Sequence, residues 1–150
     1  MNKKKSTKSK FNFLYFNRRL NYEYTVFDRL EVGVVLTGAE VRALLIREFD
    51  VTKSYVDFSF QKTPEMFWEN ANINNVLQKR KILLHRKEIS RWVLSKAQKK
   101  AIIIIQKIYL QHHRIKLEIV LAKQKRKFEK RHKISRKEHV KDMERIKTNF

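Results

Sequence analysis

Apolar and polar residues alternate with a two-residue period in three stretches of the chain, and that period predicts strands buried on one face. Tyr22, Tyr24 and Val26 alternate with Glu23, Thr25 and Phe27. Ser54, Val56, Phe58 and Phe60 oppose Asp57, Ser59 and Gln61, with Pro64 marking the turn that follows. Ile115, Leu117, Ile119 and Leu121 alternate with Lys116, Glu118 and Val120. Met66 to Ile73 reads as a further strand running into a polar loop at Asn74 and Asn75. Ile102 to Ile105 is too β-branched for a favoured helix and reads as a fully buried strand. Helical spacing is scarcer. Thr37 is placed to cap a short helix, with Glu40 three residues on as the second half of a capping box and Val41, Leu44 and Leu45 as its apolar stripe. A longer helix over 86–100 carries Ile89, Trp92 and Val93 on one side. Gly33 and Gly38, the two glycines of the chain, are expected to supply a positive φ or a close backbone approach. About five antiparallel strands with two short helices predict a mainly β fold, a small closed or nearly closed barrel.

The two ends differ in kind. Residues 1–16 read as a basic, mobile N-terminal arm and 17–123 as the barrel. Residues 124–150 form a basic tail whose apolar positions, Ile134, Val140, Met143 and Ile146, are too sparse for a core stripe. Such a segment is helix-compatible but marginal alone, so it is expected to be disordered, or to order as a helix on a partner. Charge sharpens this division. Lys and Arg number 36 against 15 Asp and Glu, a net charge of +21, and a surplus of that size invites a polyanionic partner. Residues 1–10 hold five of the basic residues and no acid, and residues 121–150 hold twelve with four acids.

Candidate chemistry narrows the field further. With no cysteine there is no disulfide framework, thiol nucleophile or thiolate metal site, in keeping with a reducing compartment. The most apolar stretch, Ala101 to Leu110, is broken by Gln106 and Lys107 and falls well short of the ~18 residues of a membrane span. The N-terminus lacks a secretory cleavage pattern, whereas an organellar import peptide stays open because the first acid is Glu23. No phosphate loop, nucleophile elbow or paired-histidine zinc helix is present. His112 and His113 are adjacent and have no acidic company, which suits turn or strand histidines better than a metal site. Glu31 and Glu40 lack a nucleophile or clamp to work with. The sequence therefore predicts no enzyme, no cofactor, no metal and no small-molecule substrate.

Basic clusters are the stronger feature: Asn17-Arg18-Arg19, Lys79-Arg80-Lys81 and Lys123 to Arg131. Any one of them is ordinarily just a solvated face. Interleaved with amides and aromatics, they also suit phosphates and unpaired bases. Asn17-Arg18-Arg19 is followed by Glu31-Val32-Gly33-Val34-Val35-Leu36-Thr37-Gly38-Ala39-Glu40-Val41-Arg42-Ala43-Leu44, then Ser54-Tyr55-Val56, Arg80-Lys81-Ile82-Leu83-Leu84-His85 and Lys107-Ile108-Tyr109. The last of the set is Leu121-Ala122-Lys123-Gln124-Lys125-Arg126-Lys127-Phe128-Glu129-Lys130-Arg131. In this order and spacing the segments resemble small protein B, the bacterial tmRNA-binding family. The chain departs from that pattern at Gln124 and Lys100, where the family has glycine, at Ile105 for proline and Ala43 for serine. It is also shortened between Trp68 and Arg80.

The resemblance implies an oligonucleotide-binding-type barrel that holds the tRNA-like domain of tmRNA and accompanies it to ribosomes stalled without a stop codon. Carried over position by position, Asn17, Arg18, Arg19, Glu31, Leu83 and His85 would meet tmRNA. Lys123, Lys125, Arg126, Phe128, Glu129, Lys130 and Arg131 would lie in the tail, in the vacant decoding centre and mRNA path of the small ribosomal subunit. Phe128 would stack on a base. Glu31 would accept a hydrogen bond from RNA or orient a basic neighbour such as Arg19. The implied actor is a monomer on its RNA, in a bacterial cytoplasm or an organellar matrix or stroma. A basic ribosomal structural protein with an OB-like fold explains the charge and the arms equally well, but not the joint order of the Glu31–Leu44 and Arg80–His85 segments.

Overall fold

A computed structural model describes residues 12–126 together with Lys141. The described elements are β1 (Asn12–Phe16), α1 (Leu20–Glu23), β2 (Tyr24–Val34), α2 (Gly38–Leu45), β3 (Phe49–Asp50), β4 (Tyr55–Ser59) and β5 (Glu65–Glu69), followed by β6 (Asn72–Ile73), β7 (Val76–Leu77), β8 (Arg80–Leu83), α3 (Arg86–Lys99), β9 (Ile102–Gln111) and β10 (Arg114–Gln124). The long strands pair antiparallel in the order β9-β10-β2-β8-β5-β4, and Val56 of β4 returns to Ile103 of β9 to close the ring. β1 adds to the part of β9 that β4 leaves uncovered, and β3, β6 and β7 form a separate three-stranded sheet. The mainly β, closed barrel expected from the alternation is thus the observed architecture, and it agrees with the OB-like fold that the resemblance implies.

Alternation decides what lies inside. Ile115, Leu117, Ile119 and Leu121 of β10 point inward with Ile103, Ile105 and Ile108 of β9, Val32 of β2, Ile82 of β8, and Met66 and Trp68 of β5. Trp92 of α3 and Leu44 of α2 join the same core. On the opposite face of β10, Val120 and Ala122 are also buried, beneath Leu20 of α1 and beside Ile104, Tyr24 and Val26. The one-turn helix α1 is therefore a lid on the outside of the barrel. It also replaces the strand start expected at Tyr22, because Leu20 finds an apolar seat there.

Several local expectations are corrected. Asn12–Phe16, assigned to the mobile arm, is a strand in register with Lys107–Leu110, held by the buried Leu14. Neither glycine has a positive φ. Left-handed backbone falls instead on Arg47 and Asn70, on Asn74 and Asn75, which turn β6 into β7, on His112 and His113, which turn β9 into β10, and on Lys100 (φ 48°) at the end of α3. Both two-residue hairpins require positive φ at both central positions, which asparagine tolerates best among non-glycine residues. Thr37 does cap α2, its hydroxyl accepting from the Glu40 N–H at 3.3 Å. The Glu40 carboxylate, however, does not complete a capping box. It turns inward, where Arg80 Nε donates to it at 2.7 Å and Gln78 Nε2 at 2.6 Å.

Candidate nucleic-acid interface

Strand register builds a single outer face across five strands. Phe13 of β1 faces Tyr109 of β9, which faces Lys116 of β10, which faces Gly33 of β2, which faces Leu83 of β8. Two residues along, Phe16 faces Lys107, which faces Glu118, which faces Glu31. Directly opposed residues share a face of the sheet and lie within side-chain reach. Two site residues expected from the sequence, Glu31 and Leu83, are thereby brought together with five that were not expected in the site: Phe13, Phe16, Lys107, Tyr109 and Lys116.

At the centre, Lys116 Nζ donates to Glu31 Oε1 at 2.8 Å. These hydrogen bonds, from Lys116 first and the Tyr109 hydroxyl second, hold the Glu31 carboxyl below the usual carboxylate range. Tyr109 is pushed well above the ordinary phenol value, by burial first and by Glu31 next, so its hydroxyl stays a proton donor. The basic neighbour that Glu31 orients is therefore Lys116, and Arg19 has no part in that contact. Below this trio, Glu118 is shared by Arg29 at 3.4 Å and Lys107 at 3.7 Å, and Arg29 also donates to the buried Gln106 side chain. Leu83 is half exposed. It lies across Gly33, where an added Cβ would sit 3.5 Å from Leu83 Cδ1, an ordinary contact. Glycine thus leaves a shallow notch here without being forced by backbone geometry.

The remaining expected residues surround this face. The Asn17 N–H donates to the Gln106 carbonyl at 2.8 Å, and Asn17 Oδ1 accepts from the Arg19 N–H at 3.2 Å. That local bond turns the chain out of β1 and leaves Arg18 and Arg19 exposed above the buried Leu20. Arg19 lines a cleft at the β4–β9 seam with Tyr15, Tyr24, Asp57 and Lys96. His85 is exposed, two residues beyond Leu83, and its N–H donates to Glu88 Oε2 at 3.4 Å in the first turn of α3.

The Lys79-Arg80-Lys81 cluster is not a basic surface. Arg80 is 2% exposed and is held by Glu40 and the carbonyls of Ala71, Gln78 and Val76, at 2.7, 3.0 and 3.0 Å for the carbonyls. Lys79 pairs with Glu69 at 2.8 Å and Lys81 with Glu65 at 3.0 Å. Adjacent strand residues point to opposite faces, so this run of three basics could never have formed one patch.

Of the expected tail residues, Lys123 lies in β10 and pairs with Thr25 of β2. Lys125 donates from its backbone to the Glu23 carbonyl at 2.8 Å and from Nζ to the Asn21 carbonyl at 2.9 Å. Arg126 is exposed. The barrel's bonding therefore extends two residues past Lys123. Phe128, Glu129, Lys130 and Arg131 lie outside the described residues. Lys116 and Gln124 stand eight residues apart on β10, about 26 Å at strand rise, so the outer face and the exit of the tail are well separated. Among the described residues, no group of three His, Cys, Asp or Glu side chains could hold a metal ion, and no helix is long and apolar enough to cross a membrane.

The signal that could have found Lys116 was the same alternation that found the core, since Ile115, Leu117 and Ile119 point inward and Lys116 between them points outward. Lys107 escapes it: an irregularity after Ile105 shifts the register, so that Ile103, Ile105 and Ile108 share the inner face and Lys107 the outer one. What singled them out was register, which periodicity does not give.

The chain as a whole is similar to known proteins. Residues 14–149 match the family model described as SmpB protein. An SsrA-binding protein of Levilactobacillus brevis is 31% identical, with all of both chains covered. One of Lawsonia intracellularis is 32% identical over 93% of this chain and 95% of its own, and one of Malacoplasma penetrans 31% over 86% and 93%. A solved chain described as "tmRNA-SmpB: a journey to the center of the bacterial ribosome" superposes with a TM-score of 0.57 at 26% identity, over 78% of this chain and 85% of that one.

Proposed function

The chain belongs to the SmpB protein family, and from that premise we propose that it is an RNA-binding adaptor that grips the tRNA-like domain of tmRNA and delivers it to stalled ribosomes. The observation that carries the reading is the Glu31–Lys116–Tyr109 cluster, set between Leu83 and Phe13 on an outward sheet face. Each part has a use against a folded RNA. Lys116 offers a phosphate donor already aligned by Glu31. The carboxylate keeps lone pairs for a ribose 2′-hydroxyl or an exocyclic amine, the group chemistry that distinguishes RNA from a plain polyanion. Leu83 supplies apolar contact beside them, and Asn17, Arg18, Arg19 and His85 form the polar border.

The role needs binding alone, with no nucleophile, metal or cofactor. The adaptor acts as a monomer on the RNA. Its tail, from Lys123 through Lys125, Arg126, Phe128, Glu129, Lys130 and Arg131, enters the decoding centre and mRNA path on the small subunit. Its place of work is where those ribosomes are, the bacterial cytoplasm.

Binding of the full chain to a transcript of the tRNA-like domain tests the reading. Glu31→Ala and Lys116→Ala should each weaken it about tenfold or more, since hydrogen bonds to charged groups are worth about 1.5–3 kcal/mol. Far-UV circular dichroism should not change. Undiminished affinity in both variants would place the RNA on another face.

A further inference from the structure

Beyond the Glu31 cluster, the same face ends in an aromatic pair whose role no expectation assigned. Phe13 and Phe16 stand on β1 with 47% and 46% of their surfaces exposed. A sheet strand of this length buries one face, and here that task falls to Leu14. The two phenylalanines therefore point away from the barrel interior, and two large half-exposed rings about one lysine call for an occupant. Their setting narrows what that is. Phe13 meets the Tyr109 ring edge-on, with centroids 6.3 Å apart and planes at 60°. Lys107 Nζ stands 5.8 Å from the Phe13 centroid and 5.6 Å from that of Phe16, and is kept there by Glu118 at 3.7 Å. The pair is continuous with the Lys116 row, because Phe13 opposes Tyr109 and Tyr109 opposes Lys116.

We propose that Phe13 and Phe16 form a ledge on which an unpaired base of the bound RNA stacks, with Lys107 between the rings to neutralise that nucleotide's phosphate. This rests on the reading that the Glu31–Lys116 face binds RNA. It adds the class of RNA element at the site's edge, a splayed-out loop nucleotide rather than a paired stem. Stacked aromatics beside a fixed cation are how proteins take single-stranded bases, and such stacking tolerates any base because every base has a π face. A duplex edge would instead reward more lysines in place of the rings.

The test uses the full chain, a transcript of a tmRNA tRNA-like domain, and a random-sequence RNA of equal length. Phe13→Ala with Phe16→Ala should lower affinity for the tRNA-like domain about 5- to 150-fold, the range for one base–aromatic stack. The salt dependence should keep its slope, since no charge is removed. Lys107→Gln should reduce that slope by about 0.7–0.9. Dimethyl sulfate probing should show an unpaired nucleotide protected by the parent chain and reactive again with the double alanine variant. Phe13→Leu with Phe16→Leu keeps apolar bulk on β1 and guards against misfolding. It should lose affinity and protection while its circular dichroism matches the parent.

Leucine variants that bind as tightly as the parent would overturn the ledge, as would alanine variants that alter only self-association. A parent chain that fails to prefer the tRNA-like domain over random RNA would instead overturn the underlying reading. Loss in Glu31→Ala without loss in the ledge variants would overturn the ledge alone.

Discussion

Replacing Glu40 by alanine should destabilise the barrel by about 3 kcal/mol. Glu40 is 4% exposed and Arg80, whose guanidinium it meets, is 2% exposed. Removing one partner of such a pair ordinarily costs about 3–5 kcal/mol, because the other is left as an uncompensated buried charge. Arg80 would keep three carbonyl acceptors, those of Ala71, Gln78 and Val76, which places the cost at the lower end. Gln78 Nε2 would lose its acceptor as well. A domain of this size has roughly 5–15 kcal/mol in all, so the loss is large, about 10–15 °C in Tm at the usual few degrees per kcal/mol. Urea unfolding of Glu40→Ala, Arg80→Met and the double variant measures it. The double variant should cost less than the sum of the singles by about 2 kcal/mol, the coupling expected for groups in direct contact. A loss below about 1 kcal/mol for Glu40→Ala, or an additive cycle, would refute the reasoning. The pair matters to the proposed function because Arg80 opens β8, the strand that carries Leu83 to the proposed RNA face.

Other outcomes follow from the same geometry. Lys100→Gly should raise stability by about 1 kcal/mol, since a left-handed backbone at φ 48° and ψ 44° favours glycine; Lys100→Ala should bring no gain, and thermal melts of the two distinguish them. The Glu31 carboxyl, held low by Lys116 and Tyr109, should titrate below the usual carboxylate range in a carboxyl-carbon NMR titration. A depressed folded-state value means that the pair's stabilisation is present above the ordinary carboxylate range and is lost as pH falls through the depressed value. In Lys116→Ala that midpoint should move up, and an unmoved midpoint would remove Lys116 as the cause. RNA affinity should fall steeply with salt, by about 0.7–0.9 log units per log unit of salt for each phosphate neutralised; a slope near zero would contradict a phosphate-dominated interface.

Much of the fold was legible in the residues because strands with one buried face write their burial as alternation. The β10 pattern from Ile115 to Leu121 and the β4 pattern from Ser54 to Phe58 are direct examples. β1 was missed because its two core-facing side chains, the buried Leu14 and the partly buried Tyr15, are adjacent across an irregular register, which leaves no alternation for periodicity to detect. α1 was missed because four residues cannot show a helical period, and Leu20 is buried in a cluster with Ile104, Val120 and Ala122, all remote in sequence. The site divided in the same way. Asn17, Arg18, Arg19, Glu31, Leu83 and His85 were reached through family resemblance. Lys116, Tyr109 and the phenylalanine ledge needed the pairing register of four strands. Lys79-Arg80-Lys81 shows the reverse error, since a basic run in a strand divides between two faces and its middle residue can serve the core.

The most direct test of the account is a paired assay on a chain ending at Arg126, measuring affinity for the tmRNA tRNA-like domain beside peptide tagging on stalled ribosomes. That endpoint keeps the bonds of Lys125 to Glu23 and Asn21 and removes nine Lys and Arg with four acids. The account predicts a folded chain that still prefers the tRNA-like domain over random RNA, yet fails to tag. Normal tagging would contradict a decoding-centre role for the tail, and loss of both activities would show that the barrel face alone does not hold the RNA.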